Sequence, residues 1–292
     1  MTDPALILGA VLLAAAGGEA FLKSILGTAR HLRVPKAVVA TTLAAFATSS
    51  PELTVSALGS NVVNIALIFG LALLYGGVQT SRQDFGRDFY LALAVPALTL
   101  VLILDGRIDR PEALLLLALF FAWLVWIVRS ALRQRALAVD VETSELSAGR
   151  SLLLGVLGLG ALIVAGRLFV SGATGIAAAL AVDTYVIGAI LVAIGTSLPE
   201  LVTVILSRLR GHDDVGVGTL IGSNLFNGLA IVGVAGTLHP IAAPLTEVAL
   251  TLTCGILALL LLLPSRSGLI GRDRGFALLL FYVGFIWATL TS

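Results

Sequence analysis

Two glutamates stand inside long apolar segments of this chain, and each one ends a copy of the same motif. Glu52 closes the segment ATSSPE, and Glu200 closes the segment GTSLPE. A carboxylate at membrane depth costs on the order of several kcal/mol, and such residues usually mark a pathway for ions or protons. Neither motif contains a basic residue that could neutralise its glutamate. A transported cation is therefore the simplest counter-charge, and a proton is the next simplest.

The other polar groups that both motifs offer are oxygens. Pro51 and Pro199 have no amide hydrogen, so each motif helix should break or kink there and free carbonyl groups for a ligand. Hard cations such as Na+ and Ca2+ prefer carboxylate, carbonyl and hydroxyl oxygens, whereas zinc and copper favour thiolate or imidazole. The motifs therefore predict a site for a hard cation, with hydroxyl groups from Thr48, Ser49, Thr196 and Ser197.

A second motif follows each glutamate, first as GSNVVN and then as GSNLFN. Residues four positions apart on a helix face the same side, so Ser60 and Asn64 should line one surface. The second copy repeats this spacing. Asn61 and Asn224 should point elsewhere and hold neighbouring helices together. The further predicted ligands are Ser60, Asn64, Ser223 and Asn227.

The elements that must position these residues are membrane-spanning helices. Of the 292 residues, 58% are hydrophobic and 12% are charged, and the mean hydropathy is +1.06. About 20 apolar residues in a helix cross the hydrocarbon core of a bilayer. The net charge of +1 argues against nucleic acid as a partner. The sequence predicts an all-α polytopic membrane protein of ten helices, near residues 4–26, 34–58, 60–78, 88–104, 111–130, 151–171, 183–207, 216–238, 244–263 and 274–291.

The chain consists of two similar halves. A shift of 148 residues aligns Gly18 with Gly166 and Gly27 with Gly175, and it aligns Glu52 with Glu200 without a gap. The polar segment 131–150 reads as a cytoplasmic connector between a first half, 1–130, and a second half, 151–292. Because each half has five predicted spans, the second half enters the membrane from the opposite side. This predicts two inverted five-helix repeats, an architecture common among secondary transporters.

The distribution of basic residues predicts the orientation. Lys and Arg are concentrated in cytoplasmic loops. One set of alternate loops holds fourteen of them and the other set holds three. Both termini are therefore expected outside. The short chain, which has no long regulatory insertion, favours a prokaryotic plasma membrane.

The two copies differ in length between their motifs. Pro199 and Gly222 are 23 positions apart, whereas Pro51 and Gly59 are 8 apart, so the first copy is 15 residues shorter. Eight helical residues span about 12 Å, which is too little for a hairpin from the midplane to the surface and back. Either a deletion leaves a tight, incomplete hairpin within the membrane, or a piece of the recorded sequence is missing. A real deletion would put the approach of Ser60 and Asn64 to Glu52 in question, and with it transport.

Other polar residues of the chain carry weaker signals. Glu19 and Lys23 lie toward the end of the first predicted span, so we expect them to have structural roles. His212, beside Asp213 and Asp214, could bind a cytoplasmic ion weakly. The sequence contains no nucleophile elbow, Walker loop or HExxH pattern, so it gives no support to an enzyme or an ATP-driven pump. We expect no catalytic residue and no cofactor.

The paired motifs G-T-S-x-P-E and G-S-N-x-x-[ND] resemble the two alpha-repeats of the calcium/cation antiporter superfamily, the sodium/calcium exchanger family and its bacterial relatives. The resemblance covers both halves. It implies an exchange of cytoplasmic Ca2+ for external Na+ or H+ by alternating access, in which helices one and six slide as a gating bundle. It also implies that the ion sites are lined by Thr48, Ser49, Glu52, Ser60 and Asn64 from the first repeat and by Thr196, Ser197, Glu200, Ser223 and Asn227 from the second.

One departure from the family pattern concerns charge. Many sodium/calcium exchangers have Asp where this chain has Asn227, so the predicted site carries a formal charge of −2. One Ca2+, two Na+ or two H+ would neutralise it. We therefore expect a Ca2+/Na+ antiporter, with two alternatives: a Ca2+/H+ antiporter, and a degenerate membrane protein that no longer transports and serves as a binding or assembly subunit.

Overall fold

The structure is a computed structural model that describes residues 3–49, 54–79, 82–137, 146–180, 193–263 and 268–291. Nearly all of these residues are helical. The first half contains α1 (Asp3–Leu32), α2 (Lys36–Ser49), α3 (54–75), α4 (Arg82–Leu102) and α5 (Arg110–Leu137). The second half contains α6 (Ala148–Ala179), α7 (Ala193–Thr196), α8 (Leu198–Leu209), α9 (Asp213–Leu238), α10 (Leu245–Leu261) and α11 (Arg272–Thr291).

Several of these helices have the length and composition of membrane spans. Within the described ranges, six helical segments are long and apolar enough to cross a bilayer, and two shorter apolar helices accompany them. The expectation of a helical multi-pass membrane protein is confirmed. The six segments are Asp3–Leu32, Leu58–Tyr75, Asp88–Asp105, Arg110–Arg133, Ala148–Ala179 and Asp213–Leu238.

Three helices contain a stretch of π-helix, in which one extra residue per turn locally shifts the helical register. In α2 it covers Ala40–Ala44, in α3 Val63–Phe69, and in α9 Phe226–Ile231. Such insertions are frequent at functional sites. The stretches in α3 and α9 each begin one residue before an asparagine of the second motif, Asn64 or Asn227.

The helices group into two compact units, and each unit takes elements from both halves of the sequence. Unit 1 consists of residues 1–51 and 129–219, and unit 2 of residues 52–128 and 220–292. Both copies of the first motif contribute to unit 1, through α2 and α8. Both copies of the second motif contribute to unit 2, through α3 and α9.

The centre of unit 1 is the packing of α1 along α6. Glycines let the two backbones approach: a Cβ atom on Gly158 would lie 2.6 Å from the amide nitrogen of Phe21 and 2.7 Å from the carbonyl oxygen of Gly17. Further along the pair, a Cβ on Gly155 would lie 2.5 Å from the Ser24 hydroxyl. The apolar core around this seam includes Phe21, Leu22, Ile25, Leu162, Ala165 and Leu198.

Unit 2 repeats the use of glycine at helix contacts. A Cβ on Gly70 of α3 would lie 3.4 Å from the Gly275 carbonyl of α11, and one on Gly233 of α9 would lie 3.1 Å from the Ala113 carbonyl of α5. Two short antiparallel strand pairs each join a connection between helices of the first half to one of the second half. They are β1 (Val78–Gln79) with β4 (Leu269–Ile270), and β2 (Arg107–Ile108) with β3 (Ile241–Ala242).

The structure corrects the predicted boundaries around the first motif copy. The span predicted at 34–58 ends as α2 at Ser49, and residues 54–58 instead begin α3. Helices α1 and α6 also extend past the predicted ends at 26 and 171, to Leu32 and Ala179. In the second half, Ser197 is followed by the 12 residues of α8 and then by residues 210–212 before α9 begins at Asp213. Only residues 50–53 separate α2 from α3.

Candidate functional site

The carboxylate of Glu200 is buried in unit 1 and accepts a hydrogen bond from the first motif copy. The Ser49 hydroxyl donates to Glu200 Oε1 over 3.3 Å, and both side chains are 0% exposed. The two residues are 151 positions apart in the chain. The fold thus joins the two copies of the first motif at this carboxylate.

The position of Glu200 follows from the break that Pro199 makes in its helix. Ser197 is the N-cap residue, between α7 and α8, and Pro199 falls in the first turn of α8. Proline is tolerated there because the first amide groups of a helix have no intrahelical partner. The predicted break at Pro199 is confirmed, whereas Pro51 and Glu52 lie outside the described residues. Glu200 lies in the first turn of α8, where the aligned peptide dipoles stabilise negative charge.

The remaining hydroxyl groups of the first motif differ in burial. Thr48 and Ser197 are 0% exposed, and Thr196 is half-buried. The Thr48 hydroxyl donates to the Ala45 carbonyl of its own helix over 3.3 Å. Ser49 is one predicted hydroxyl ligand that the structure joins to Glu200 by a hydrogen bond.

One buried hydroxyl near Glu200 was not among the ligands predicted from the sequence. Thr203 lies three residues after Glu200 on α8, is 0% exposed, and its Oγ1 has no hydrogen-bond partner within the described ranges. The three-residue spacing from Glu200 could have indicated Thr203 in the sequence, because residues three apart on a helix share a face.

Gly195 permits a close helix contact beside the motif. A Cβ on Gly166 of α6 would lie 2.5 Å from the Gly195 carbonyl oxygen. A Cβ on Gly195 would in turn collide with Val170 of α6. Helix α6 therefore packs directly against the segment that carries Thr196, Ser197 and Glu200.

In unit 2, four asparagines from the two copies of the second motif form one network. Asn61 Nδ2 donates to the Asn224 carbonyl and Asn224 Nδ2 donates to the Asn61 carbonyl, each over 3.4 Å. Asn64 Nδ2 donates to Asn224 Oδ1, and Asn227 Nδ2 donates to Asn61 Oδ1, each over 3.1 Å. Every bond of the network has a counterpart in which the two copies exchange roles. Asn61 and Asn224 do join helices, as predicted, and they also hold the two predicted ligands.

The serines and the outer asparagines of this motif are fully enclosed. Ser60, Asn64, Ser223 and Asn227 are at most 1% exposed. In the part of the chain that the structure describes, the Ser60 hydroxyl and Asn64 Oδ1 have no hydrogen-bond partner. A buried polar group without a partner costs about 1–3 kcal/mol. Oxygens in this condition are suited to a ligand that donates hydrogen bonds or carries positive charge.

Glu19 is part of an ion-pair cluster outside this region. Its carboxylate lies 3.4 Å from Lys23 Nζ, one turn along α1, and 2.9 Å from Arg210 Nη2. The pair with Arg210 links α1 to the end of α8. The expected structural role of Glu19 and Lys23 is therefore borne out by ion pairing.

The residues around His212 are also paired with one another. Lys36 Nζ lies 2.9 Å from His212 Nδ1 and 3.1 Å from an Asp214 carboxylate oxygen, and Asp213 pairs with Arg208. Both carboxylates proposed for a weak cytoplasmic ion site are thus occupied by cationic side chains. Burial, and then the positive charge of Lys36, lower the pKa of His212 below its usual value.

Known proteins are similar to this chain over nearly its whole length. The family described as sodium/calcium exchanger protein matches residues 3–58, 56–129 and 150–291. The putative antiporter CaxA of Alkalimonas amylolytica is 30% identical, and the alignment covers 94% of each chain. The sodium/calcium exchanger MaX1 of Methanosarcina acetivorans is 29% identical, with 96% of each chain covered.

The fold also matches a solved structure. The sodium-calcium exchanger NCX_Mj, soaked with 2.5 mM Na+ and 0.1 mM Ca2+, superposes with a TM-score of 0.83 at 28% sequence identity, and 98% of each chain is covered. The first two matched segments of the family meet at residues 56–58, close to the place where the first copy is short.

Proposed function

Because the chain belongs to the sodium/calcium exchanger family of membrane cation antiporters, we propose that it exchanges Ca2+ for Na+ by alternating access. The contact between Ser49 and Glu200 is the observation that carries the proposal. A carboxylate that is 0% exposed at membrane depth needs a compensating positive charge, and hydroxyl oxygen beside it suits a hard cation. The contact also unites the two motif copies, which a shared ion site requires.

The proposed ligand set follows the two motifs. Glu200 and Glu52 supply the charge, and the other groups supply neutral oxygen. With two carboxylates the set is neutralised by one Ca2+, by two Na+ or by two H+, so the exchange of one Ca2+ for two Na+ would leave its charge unchanged. The neutral ligands are Thr48, Ser49, Ser60 and Asn64 from the first half and Thr196, Ser197, Ser223 and Asn227 from the second.

The proposed architecture is that of ten membrane helices in two inverted five-helix repeats. The paired hydrogen bonds of Asn61 and Asn224 support it, because each bond recurs with the halves exchanged. We place the protein in the plasma membrane with both termini outside, on the strength of the basic loops. Helices α1 and α6, which pack together through glycine, are the elements proposed to move during transport.

The deciding experiment is 45Ca2+ uptake into inverted membrane vesicles. A Na+ gradient should drive uptake in the wild type, and Glu200→Gln should abolish it. Glu112→Gln is the matched control, because Glu112 lies in the first turn of α5 and its carboxylate accepts from the Asp109 amide over 2.8 Å, a bond that a glutamine oxygen can keep. Its uptake should equal that of the wild type.

The alternatives give different results in the same vesicles. Uptake driven by a pH jump, and indifferent to Na+, would identify a Ca2+/H+ antiporter. If neither gradient drives uptake, and Glu200→Gln leaves Ca2+ binding unchanged, the chain is a non-transporting member of its family. Glu52→Gln belongs in the series because Glu52 is in the shortened copy: loss of uptake in this variant would show that the short copy still contributes a ligand.

The shortened copy itself can be checked at the gene. Resequencing that finds about 15 additional codons between those for Pro51 and Gly59, the gap implied by the repeat, would mean that the recorded sequence lacks a hairpin arm. An unchanged sequence would establish the deletion.

A further inference from the structure

We propose that Asn61 and Asn224 are positioning residues that turn the amide oxygens of Asn227 and Asn64, respectively, toward the transported ion. The inference rests on the proposed function, in which Asn64 and Asn227 are ion ligands. Each positioning residue acts on the ligand of the other half of the sequence, so the two halves control each other's ion contacts.

Two backbone carbonyls orient the side-chain amides of Asn61 and Asn224, because a carbonyl oxygen can only accept a hydrogen bond. Asn61 presents its amide nitrogen to the Asn224 carbonyl over 3.4 Å, and Asn224 presents its own to the Asn61 carbonyl over the same distance. These acceptors decide which end of each side-chain amide is nitrogen. They thereby decide where the two Oδ1 atoms lie.

The fixed Oδ1 atoms then orient the ligands. Oδ1 of Asn224 accepts from Asn64 Nδ2, and Oδ1 of Asn61 accepts from Asn227 Nδ2, both over 3.1 Å. The nitrogen and oxygen of an asparagine amide are bonded to the same trigonal carbon and point in different directions. When the nitrogen is held by a neighbour, the direction of the oxygen is therefore fixed as well. Asn64 Oδ1 accordingly has no hydrogen-bond partner among the described residues and is buried.

A cation needs this orientation because the two ends of the amide have opposite polarity. The oxygen end attracts a cation and the NH2 end repels it. Without its positioning partner, a ligand asparagine can turn its NH2 group toward the ion for part of the time. The loss should appear in ion affinity, whereas a residue that only joins helices would affect stability and leave affinity unchanged.

The first test measures 45Ca2+ binding and the thermal midpoint of the purified full-length protein. Asn224→Ala and Asn61→Ala should each weaken Ca2+ binding about tenfold, the effect expected when one buried hydrogen bond that orients a ligand is lost. The control is Thr99→Val in the same unit: the Thr99 hydroxyl is 0% exposed and donates to the Val95 carbonyl over 2.9 Å. Thr99→Val should lower the thermal midpoint comparably and leave the affinity within about twofold.

The second test uses the crossed arrangement. In an Asn64→Ala background, Asn224→Ala should change the affinity by less than about twofold, because the ligand that it positions is already gone. In the same background Asn61→Ala should still weaken binding about tenfold, because it acts through Asn227. Equal effects of both variants in that background, or the reverse pattern, would overturn the proposal.

Glu200→Gln in the same binding assay separates this inference from the proposed function. If Glu200→Gln binds Ca2+ like the wild type, the proposed function fails and the positioning role fails with it. If Glu200→Gln loses binding while Asn224→Ala and Asn61→Ala match Thr99→Val, only the positioning role is overturned. Should the alanine variants not fold, Asn224→Ser and Asn61→Ser, which also cannot reach their partners, are judged by the same criterion.

Discussion

Ser151 lies directly over Gly27 where α6 packs on α1, so that a Cβ on Gly27 would collide with the serine hydroxyl. Asp3 lies over Gly175 in the same way at the other end of the two helices. The two contacts correspond to each other in the alignment of the halves. The shift of 148 residues pairs Gly27 with Gly175 and Asp3 with Ser151. In each of the two contacts, one helix contributes the glycine and the other contributes the polar side chain, and the helices exchange these roles from one contact to the other.

The tight packing of α1 on α6 leads to a prediction about two glycines of α6. Gly158→Ala should destabilise the protein by about 1–3 kcal/mol, because its Cβ would lie 2.6 Å from the Phe21 amide nitrogen, and backbone cannot move aside as a side chain can. Gly160 is the matched control: a Cβ there meets nothing within 4 Å. Gly160→Ala should stabilise its helix by about 0.5–1 kcal/mol.

Thermal unfolding in detergent, followed by intrinsic fluorescence, tests this pair of variants. Gly158→Ala should unfold at a lower temperature than the wild type, and Gly160→Ala at the same or a higher one. Equal midpoints for the two variants would mean that the α1–α6 contact is looser than the structure has it.

The effect of replacing the buried carboxylate of Glu200 on the stability of the protein can be predicted without reference to transport. In the absence of ions, Glu200→Gln should be as stable as the wild type or more stable, because a neutral amide is less costly to bury than a carboxylate. Ca2+ at about 100 times its dissociation constant should stabilise the wild type by about 2.7 kcal/mol and should not stabilise the variant. Thermal unfolding with and without Ca2+ measures both effects, and a Ca2+-dependent rise that persists in Glu200→Gln would contradict the role of this residue.

The hydroxyl that touches Glu200 should matter for affinity. Ser49→Ala removes the donor 3.3 Å from the carboxylate, and hydrogen bonds to charged groups contribute about 1.5–3 kcal/mol, so Ca2+ binding should weaken at least about tenfold. Thr42→Val is the control on the same helix, because the Thr42 hydroxyl donates to the Val38 carbonyl over 2.7 Å. Binding of 45Ca2+ to the two purified variants decides the matter: equal affinities would exclude Ser49 as a ligand or as a partner of the ligand.

The sequence was sufficient to predict the membrane class, the family and the break at Pro199, because each depends on signals within one segment. Hydropathy indicates a span, a proline breaks a helix, and the repeated motifs identify the family. The buried polar face of α8 was recognised only at Glu200. Thr203 lies one turn further along α8, at the spacing that puts it on the same face as Glu200, but the motif ends before this position.

The contacts between the two motif copies could not be predicted, because they depend on how separate helices cross. Helical periodicity within one segment predicted that Asn61 and Asn64 lie on different faces of their helix. In the structure both belong to one network, because each is hydrogen-bonded to Asn224, and Asn61 also to Asn227. The π-helical stretches, which begin beside Asn64 and Asn227, leave no pattern in the sequence. Of the glycines that aligned the halves, Gly27 and Gly175 lie in the contact between α1 and α6, and nothing in the sequence indicated this.

The contact between Lys36 and His212 predicts a pH dependence of stability. An ammonium group can only donate, so His212 Nδ1 must accept and the ring must be neutral. Burial and the charges of Lys36 and Arg30 lower the pKa of His212 from 6.5, against an opposing effect of Asp214. Below about pH 6.5 the unfolded chain therefore binds a proton that the folded protein resists, and folded stability falls as the pH falls.

Thermal midpoints at about pH 7.5 and about pH 5.5 test this dependence. The wild type should lose stability on acidification, and His212→Asn should lose less, because the asparagine oxygen can accept from Lys36 and does not titrate. His239→Asn is the control, since His239 is exposed, and its Nδ1 lies 2.9 Å from the Pro240 carbonyl. That variant should follow the wild type at both pH values. If His212→Asn shows the same loss on acidification as the wild type, the titrating group lies elsewhere in the protein.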